Sequence, residues 1–248
     1  MWEAIDGIIV INLVHRRDRL KSIAERMRNL GIPADRVYLI RARWRPELPK
    51  LGKGESHYLA IKKAIELGWR RYIICQDDAV LSNSHQHWAE LFKWSIENTW
   101  KVINLGYIVN SDYCEPISTL ELGRIYQTSD ILGTTCYMVS GDYSSSLLKN
   151  IEEGLQFYDS LQLPDYVIDE YWMNEQMQGG WYIYAPRLVR QENGYSDIRR
   201  AIVDYTGYYR RPIRVLDTTG EMHSDTIEPI GELLPNNPSI INNNESDN

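Results

Sequence analysis

The sequence predicts an α/β protein with a mostly parallel central sheet and crossover helices, and three observations carry that expectation. Apolar runs of strand length alternate with segments of helical period from the N-terminus onward. Glycine or proline closes most of the helical segments. The 248 residues are 43% hydrophobic and 25% charged, the balance of a soluble globular chain rather than of a disordered or membrane one.

Residues 7–12, GIIVIN, make one buried strand by length and by their β-branched content. Leu20, Ile23, Ala24, Met27 and Leu30 recur at helical spacing until Gly31 and Pro33 stop the helix. A second strand is expected at 36–40. A Pro- and Lys-rich loop follows through Pro46 and Pro49, then a helix marked by Tyr58, Ile61, Ala64 and Ile65 that ends at Gly68. Residues 71–75 read as the next buried strand, Trp88, Leu91, Phe92 and Ile96 mark a helix, and 102–105 is a short strand. The stretch 110–123 is rich in turn residues and has no period. A strand at 133–140, a helix through Leu147, Leu148 and Ile151 capped by Ser140 or Asp142, a helix over 165–178 and a strand at 181–185 complete the pattern. One domain over 1–224 is expected, with a flexible tail at 225–248 too polar to join a core.

Composition narrows the function. A net charge of −7 disfavours a protein that tracks nucleic-acid phosphates. Basic clusters remain, running from Arg41 through Arg45 to Lys53 and again at Arg199, Arg200, Arg210, Arg211 and Arg214; these either cradle phosphates or form solvated faces. Three widely spaced cysteines without a C-x-x-C pair argue against a disulfide framework or a thiolate zinc site and suit a reducing, cytoplasmic setting. The apolar run at 8–13 is too short for a signal peptide or a transmembrane span. Seventeen Tyr and eight Trp against two Phe suit either a ring-lined ligand groove or a core that prefers polar-tipped rings.

Asp77 and Asp78 follow directly on the strand at 71–75, and ligands of open α/β sheets bind at the carboxyl ends of strands. Carboxylates there either hold a hard divalent ion, Mn2+ or Mg2+, or cap the following turn. As a ligand set, Asp78 is primary and Asp77 secondary. Asn12 and Arg19 border the end of the first strand, where a base or ribose would lie, although Arg19 serves equally well in a helix-face ion pair.

Taken in order, the stretch IIVINLVHRRDRL, then Gly52, Ser56 and His57 ahead of a helix, Gln76-Asp77-Asp78 after a strand, GTTCYMVS at 133–140, and Tyr184-Ala185-Pro186 with Gln191 and Ser196-Asp197-Ile198 resemble the motifs of the family 25 glycosyltransferases. That group contains lipooligosaccharide and collagen galactosyltransferases. The resemblance spans roughly residues 8 to 198. It implies a GT-A fold, a UDP-sugar donor of galactose or glucose type, a divalent metal, inversion at the anomeric carbon, and a glycan or protein hydroxyl as acceptor. By the same resemblance Ser56, His57 and Gln76 contact the donor, and Gln191 and Ser196 close over its diphosphate, although His57 serves equally well as a residue that simply starts a helix. Inversion needs a base, and Asp169 in VIDEYW matches the family's aspartate segment; Asp165, on the same face of a continuous helix, and Glu170 compete for the role.

Two departures stand out: Gln76 replaces an acid, and Lys53 stands where the family often has Cys. The basic loop at 42–50 has no counterpart. His85 and His87, two apart on a helix, point away from each other and read as surface, and His223 sits in a polar segment as a weak late ligand. Two other functions compete with the leading one. Transfer to a modified nucleic-acid base is kept open by the arginine clusters, and a non-catalytic nucleotide-sugar-binding domain is suggested by Gln76.

Overall fold

Every residue of β1 (Gly7–Asn12) is buried, as a strand covered on both faces must be, which is why its sequence shows no polar alternation. Ile8 and Val10 join one core, and Ile9 and Ile11 join the other. The computed structural model describes residues 1–110, 114–216 and 222–225. α1 (Arg17–Asn29) lays Ile23 and Met27 on the first face, and β2 (Val37–Arg41) pairs parallel with β1. α2 (Pro49–Glu66) lays Ala60, Ile61 and Ala64 on the opposite face, and β3 (Arg71–Gln76) pairs parallel with the other side of β1. The winding therefore reverses at β1, so a crevice opens between the carboxyl ends of β1 and β3.

Beyond β3 come β4 (Ala79–Leu81), α3 (His85–Glu97), β5 (Val102–Asn104), β6 (Ile108–Val109), β7 (Glu115–Thr119), β8 (Arg124–Gln127), β9 (Ile131–Leu132), β10 (Cys136–Ser140) and α4 (Ser144–Leu161). The last described part holds α5 (Ile168–Tyr171), α6 (Met173–Gln176), β11 (Trp181–Ala185), β12 (Val189–Gln191), β13 (Gly194–Ser196), β14 (Ala201–Val203), α7 (Thr206–Tyr209), β15 (Ile213–Leu216) and β16 (Met222–Asp225). The large sheet has the order β2-β1-β3-β10-β5-β11-β8-β7, with β10 and β8 opposed to the rest, so it is mixed but mostly parallel. α1 and α3 cover one face, α2 and α4 the other. Short ribbons β4–β12, β6–β9 and β13–β14 sit outside the large sheet. Among the described residues no helix is long and apolar enough to cross a membrane.

Several expectations need correction. α2 begins at Pro49, eight residues before His57, so Gly52, Ser56 and His57 lie within the helix rather than ahead of it. Proline is favourable there because its fixed φ suits the first helical turn and its missing N–H would be unpaired anyway. The stretch at 110–123 contains β7, whose exposed, polar residues sit at a sheet edge and leave no apolar signature. Ser140 and Asp142 make no capping bond to α4, because a 3-10 turn at Gly141–Tyr143 precedes that helix. The helix expected over 165–178 is broken: Val167 is extended, at φ −68 and ψ 144, between a 3-10 turn and α5. The shared helical face of Asp165 and Asp169 goes with it, and the Asp165 side chain lies outside the described residues, as do the tail from 226 and the His223 side chain.

The second core closes on Trp172, which is fully buried, with its ring centroid 5.4 Å from Tyr137 and 5.1 Å from Trp181. Its indole N–H has no hydrogen-bond partner. Trp172→Ala is expected to lower the urea-unfolding free energy by about 3–5 kcal/mol. Trp172→Phe, which leaves a smaller void and deletes a donor that bonds nothing, should cost clearly less than Trp172→Ala. Equal losses in the two variants would mean that the N–H is satisfied in solution.

Candidate functional site

At the crevice between β1 and β3 the backbone brings Asn12 and the Asp77-Asp78 pair together. Asn12 Nδ2 donates to Asp77 Oδ2 at 2.7 Å and to the Arg16 carbonyl at 3.0 Å. Arg19, one turn into α1, sends one guanidinium nitrogen to Asp78 Oδ2 at 3.0 Å and to Asp77 Oδ1 at 3.4 Å, and the other to the Tyr195 carbonyl at 2.6 Å. Gln191, at the end of β12, donates to Asp78 Oδ2 at 3.0 Å. Asp77 and Asp78 are only 6% and 4% exposed. Asp78 Oδ1 is left buried with no hydrogen-bond partner, a costly position for a carboxylate oxygen.

Burial raises the Asp77 carboxyl above its usual range, and the neighbouring Asp78 charge adds to the rise; Arg19 and Asn12 oppose it. His57, 1% exposed, is pushed down to about 3 by burial and then by the Lys53 charge, so its ring is neutral at physiological pH. Its Nε2 lies 3.1 Å from Gln76 Nε2 and its Nδ1 lies 2.9 Å from the Tyr137 hydroxyl. Because the Gln76 amide nitrogen can only donate, it gives one hydrogen to His57 Nε2 and the other to Thr134 Oγ1 at 2.9 Å, which places the ring proton on Nδ1.

These groups face a cleft of about 660 Å³, counting the part open to solvent. Arg19, His57, Gln76, Asp77, Asp78, Gln191 and Ser196 line it, with Trp44 on the outer wall. Two loops roof it. Ser56 accepts from the Arg43 N–H at 2.9 Å and donates to the Gly52 carbonyl at 2.5 Å, which fixes the basic loop on α2. Gly52 is required there, since a Cβ would stand 2.5 Å from the Arg43 carbonyl oxygen. From the other side Asp197 is clasped by Arg16 at 2.6 Å and lies 3.2 Å from His15, and the Arg200 guanidinium reaches the Pro46 carbonyl. Trp44 is 49% exposed and holds its ring edge to face with His15 at 4.8 Å.

A second, wider pocket of about 1190 Å³, again counting open space, shares Lys53, Gln76, Gln191, Ser196 and Ile198 with the cleft. Asp169 lines this pocket and not the cleft. Lys53 Nζ bonds Asp169 Oδ1 at 2.8 Å. Burial alone would raise the Asp169 carboxyl, but the charge and hydrogen bond of Lys53 outweigh it and hold it below its usual range.

Of the sequence-derived residues, Arg19, Ser56, His57, Gln76, Asp77, Asp78, Gln191 and Ser196 line the cleft, whereas Asp169 lines the wider pocket instead. Asn12 stands behind Asp77 rather than lining the cleft, and the Ser56 hydroxyl is committed to the loop. Ser196 is 8% exposed and its hydroxyl accepts from the Arg199 N–H at 3.2 Å. The sequence reading missed Trp44, Thr134 and Tyr137, and noticed Lys53 as part of a basic run and as a departure from a motif, not as the partner of Asp169. An exposed Trp between arginines in a Pro-bounded loop is the one signal that could have marked Trp44.

Among the described residues no three His, Cys, Asp or Glu side chains form a metal-holding group. A divalent ion nevertheless fits one atom, the unpartnered Asp78 Oδ1, because such ions take the rest of their ligands from phosphates and water. Both Asp77 oxygens are already engaged, by Asn12 and Arg19.

No family model matches the chain, and no curated protein matches it. Among solved structures it is similar to the mannose-1-phosphate geranyltransferase of Thermus thermophilus, at 10% identity and TM-score 0.39 over 71% of this chain and 72% of that one. Protein A197 from STIV gives 10% identity and TM-score 0.39 over 80% and 97%. The nucleoside-diphosphate-sugar pyrophosphorylase of Vibrio cholerae gives 14% and 0.34 over 82% and 80%. Likeness at this level decides neither fold nor activity.

The buried neutral His57 has a signature in stability. An unfolded histidine titrates near 6.5 while the folded one stays unprotonated to about 3, so between those values the unfolded chain binds the extra proton. Stability is expected to fall as pH drops from about 6.5 towards 3, by up to roughly 1.4 kcal/mol per unit from this group. In urea titrations at stepped pH, the advantage of the wild type over His57→Gln should shrink across that window; a constant advantage would show that His57 titrates normally.

Proposed function

We propose that the chain is an inverting, metal-assisted glycosyltransferase of GT-A type that moves a hexose from a UDP-sugar to an acceptor hydroxyl. The observation that carries this reading is the buried, unpartnered oxygen of Asp78, a residue that lines a cleft at the strand ends where winding reverses. The resemblance of the ordered motifs to the family 25 enzymes supports it.

In this reading the cleft takes the nucleotide, with the exposed face of Trp44 for the base and the basic loop beside the diphosphate. Asp78 holds a Mn2+ or Mg2+ ion through Oδ1, with Gln191 and Arg19 fixing Oδ2 so that the carboxylate cannot turn. Once bound, such an ion neutralises charge on the departing diphosphate. Asp169, which lines the wider pocket, accepts the proton of the attacking hydroxyl. Lys53 keeps it ionised and ready. A second reading, a nucleotide-sugar binder without turnover, is favoured by the neutral Gln76 and by the way Arg19 already offsets the aspartates.

A thermal-shift panel of nucleotide sugars with and without manganese is expected to show the largest stabilisation with a UDP-hexose plus metal. Slow metal-dependent hydrolysis of that donor separates the enzyme from the binder. Asp78→Ala should lose metal-dependent donor binding, and an unchanged response would remove the metal assignment. Asp169→Asn should keep donor binding and lose transfer by about 10²–10⁴-fold, the usual share of a general base; normal turnover would exclude Asp169.

A further inference from the structure

We infer that the acceptor entering the wide pocket carries phosphate. The inference rests on the transferase reading and names the chemistry of its second substrate. Four cationic side chains line that pocket, Lys50, Lys53, Arg199 and Arg211, against two carboxylates, Asp169 and Glu170. In a chain of net charge −7 this is a local excess of the opposite sign. Among the described residues only Lys53 of the four is paired with a carboxylate, that of Asp169.

The two arginines are exposed, but both make contacts that orient them. Both guanidinium groups lie over the Tyr208 ring, Arg199 at 5.8 Å and Arg211 at 5.7 Å from its centroid, and Arg211 also donates to the Val109 carbonyl at 3.4 Å. Tyr208 is in turn braced by Tyr205, 6.3 Å away. Guanidinium forks ordered on an aromatic ring, with N–H groups to spare, match the oxygens of a phosphate in number and spacing. The tyrosine faces supply a wall for a ring attached to that phosphate. If the cleft beside Asp78 takes the donor diphosphate as proposed, a second cationic cavity that shares Lys53 and Gln76 with it serves a different anion.

The test is a titration of the full chain with UDP and manganese, and then, with UDP saturating, of four probes: oligothymidylate, glucose 6-phosphate, glucuronate and glucose. At least one phosphate-bearing probe is expected to bind about ten times more tightly than glucose or glucuronate, the gain of a charge-assisted contact. Arg199→Gln with Arg211→Gln should erase that preference without lowering the melting temperature, whereas Lys149→Gln, on the far exposed surface of α4, should leave it intact. If the acceptor is a polynucleotide, oligothymidylate binds tightest and the double variant reduces the slope of log K against log salt by about 1.4, roughly 0.7 for each lost contact. If it is a small phosphorylated sugar, glucose 6-phosphate binds at least as well as the oligonucleotide. Equal binding of all four probes, tightest binding of glucuronate, or a phosphate preference that survives in the double variant would each overturn the inference. Failure of UDP itself to bind would instead sink the transferase reading on which it rests.

Discussion

Two carboxylates buried side by side repel each other and lose their hydration, so the Asp77-Asp78 pair can exist only where something opposes it. Here that is Arg19, assisted by the amides of Asn12 and Gln191. The arrangement joins the end of β1, the first turns of α1, the end of β3, β12 and, through the Tyr195 carbonyl, β13. Removing one partner of a buried ion pair typically costs about 3–5 kcal/mol, because the remaining charge is stranded. The elements that surround the cleft are therefore held together by the same charges that line it. One oxygen, Asp78 Oδ1, is left over by this scheme.

The same electrostatics give a reason for Gln76. An acid at that position would put a third carboxylate beside Asp77 and Asp78 with Arg19 as the shared counter-charge. It would also draw a proton onto His57, whose burial strongly disfavours the imidazolium. The neutral amide avoids both costs and donates to His57 Nε2 and Thr134 Oγ1, so that α2, β3 and the residues leading into β10 are tied at the cavity floor without added charge. In this chain His57 therefore acts through position and neutrality.

How much of this was legible in the sequence follows from which signals are local. β1, α1, β3 and β11 carry continuous apolar runs or a clear helical period, and the structure places them where those patterns put them. β7 and β8 were missed because one is an exposed edge strand and the other is only four residues long. The start of α2 was hidden by prolines that look like a loop but suit a first helical turn. The aspartate pair was legible because it follows a buried strand directly. The pairing of Lys53 with Asp169 was not, since 116 residues separate them and no local pattern encodes the contact. Ser56 and Gly52 were seen as a motif, but that they anchor the basic loop depends on the return of Arg43 to the helix, a tertiary fact.

Lys53 and His57 lie one turn apart on α2, and that spacing sets a trade-off. The lysine charge lowers the proton affinity of His57 and of Asp169 together. For the histidine this keeps a buried ring neutral. For the aspartate it opposes the effect of burial and favours the ionised form, at the cost of a weaker proton acceptor. A cysteine at position 53, neutral when protonated, would leave Asp169 a stronger base but more costly to keep charged where burial already opposes ionisation. The lysine thus exchanges basicity for readiness. It also places a positive group in the lining that the two cavities share.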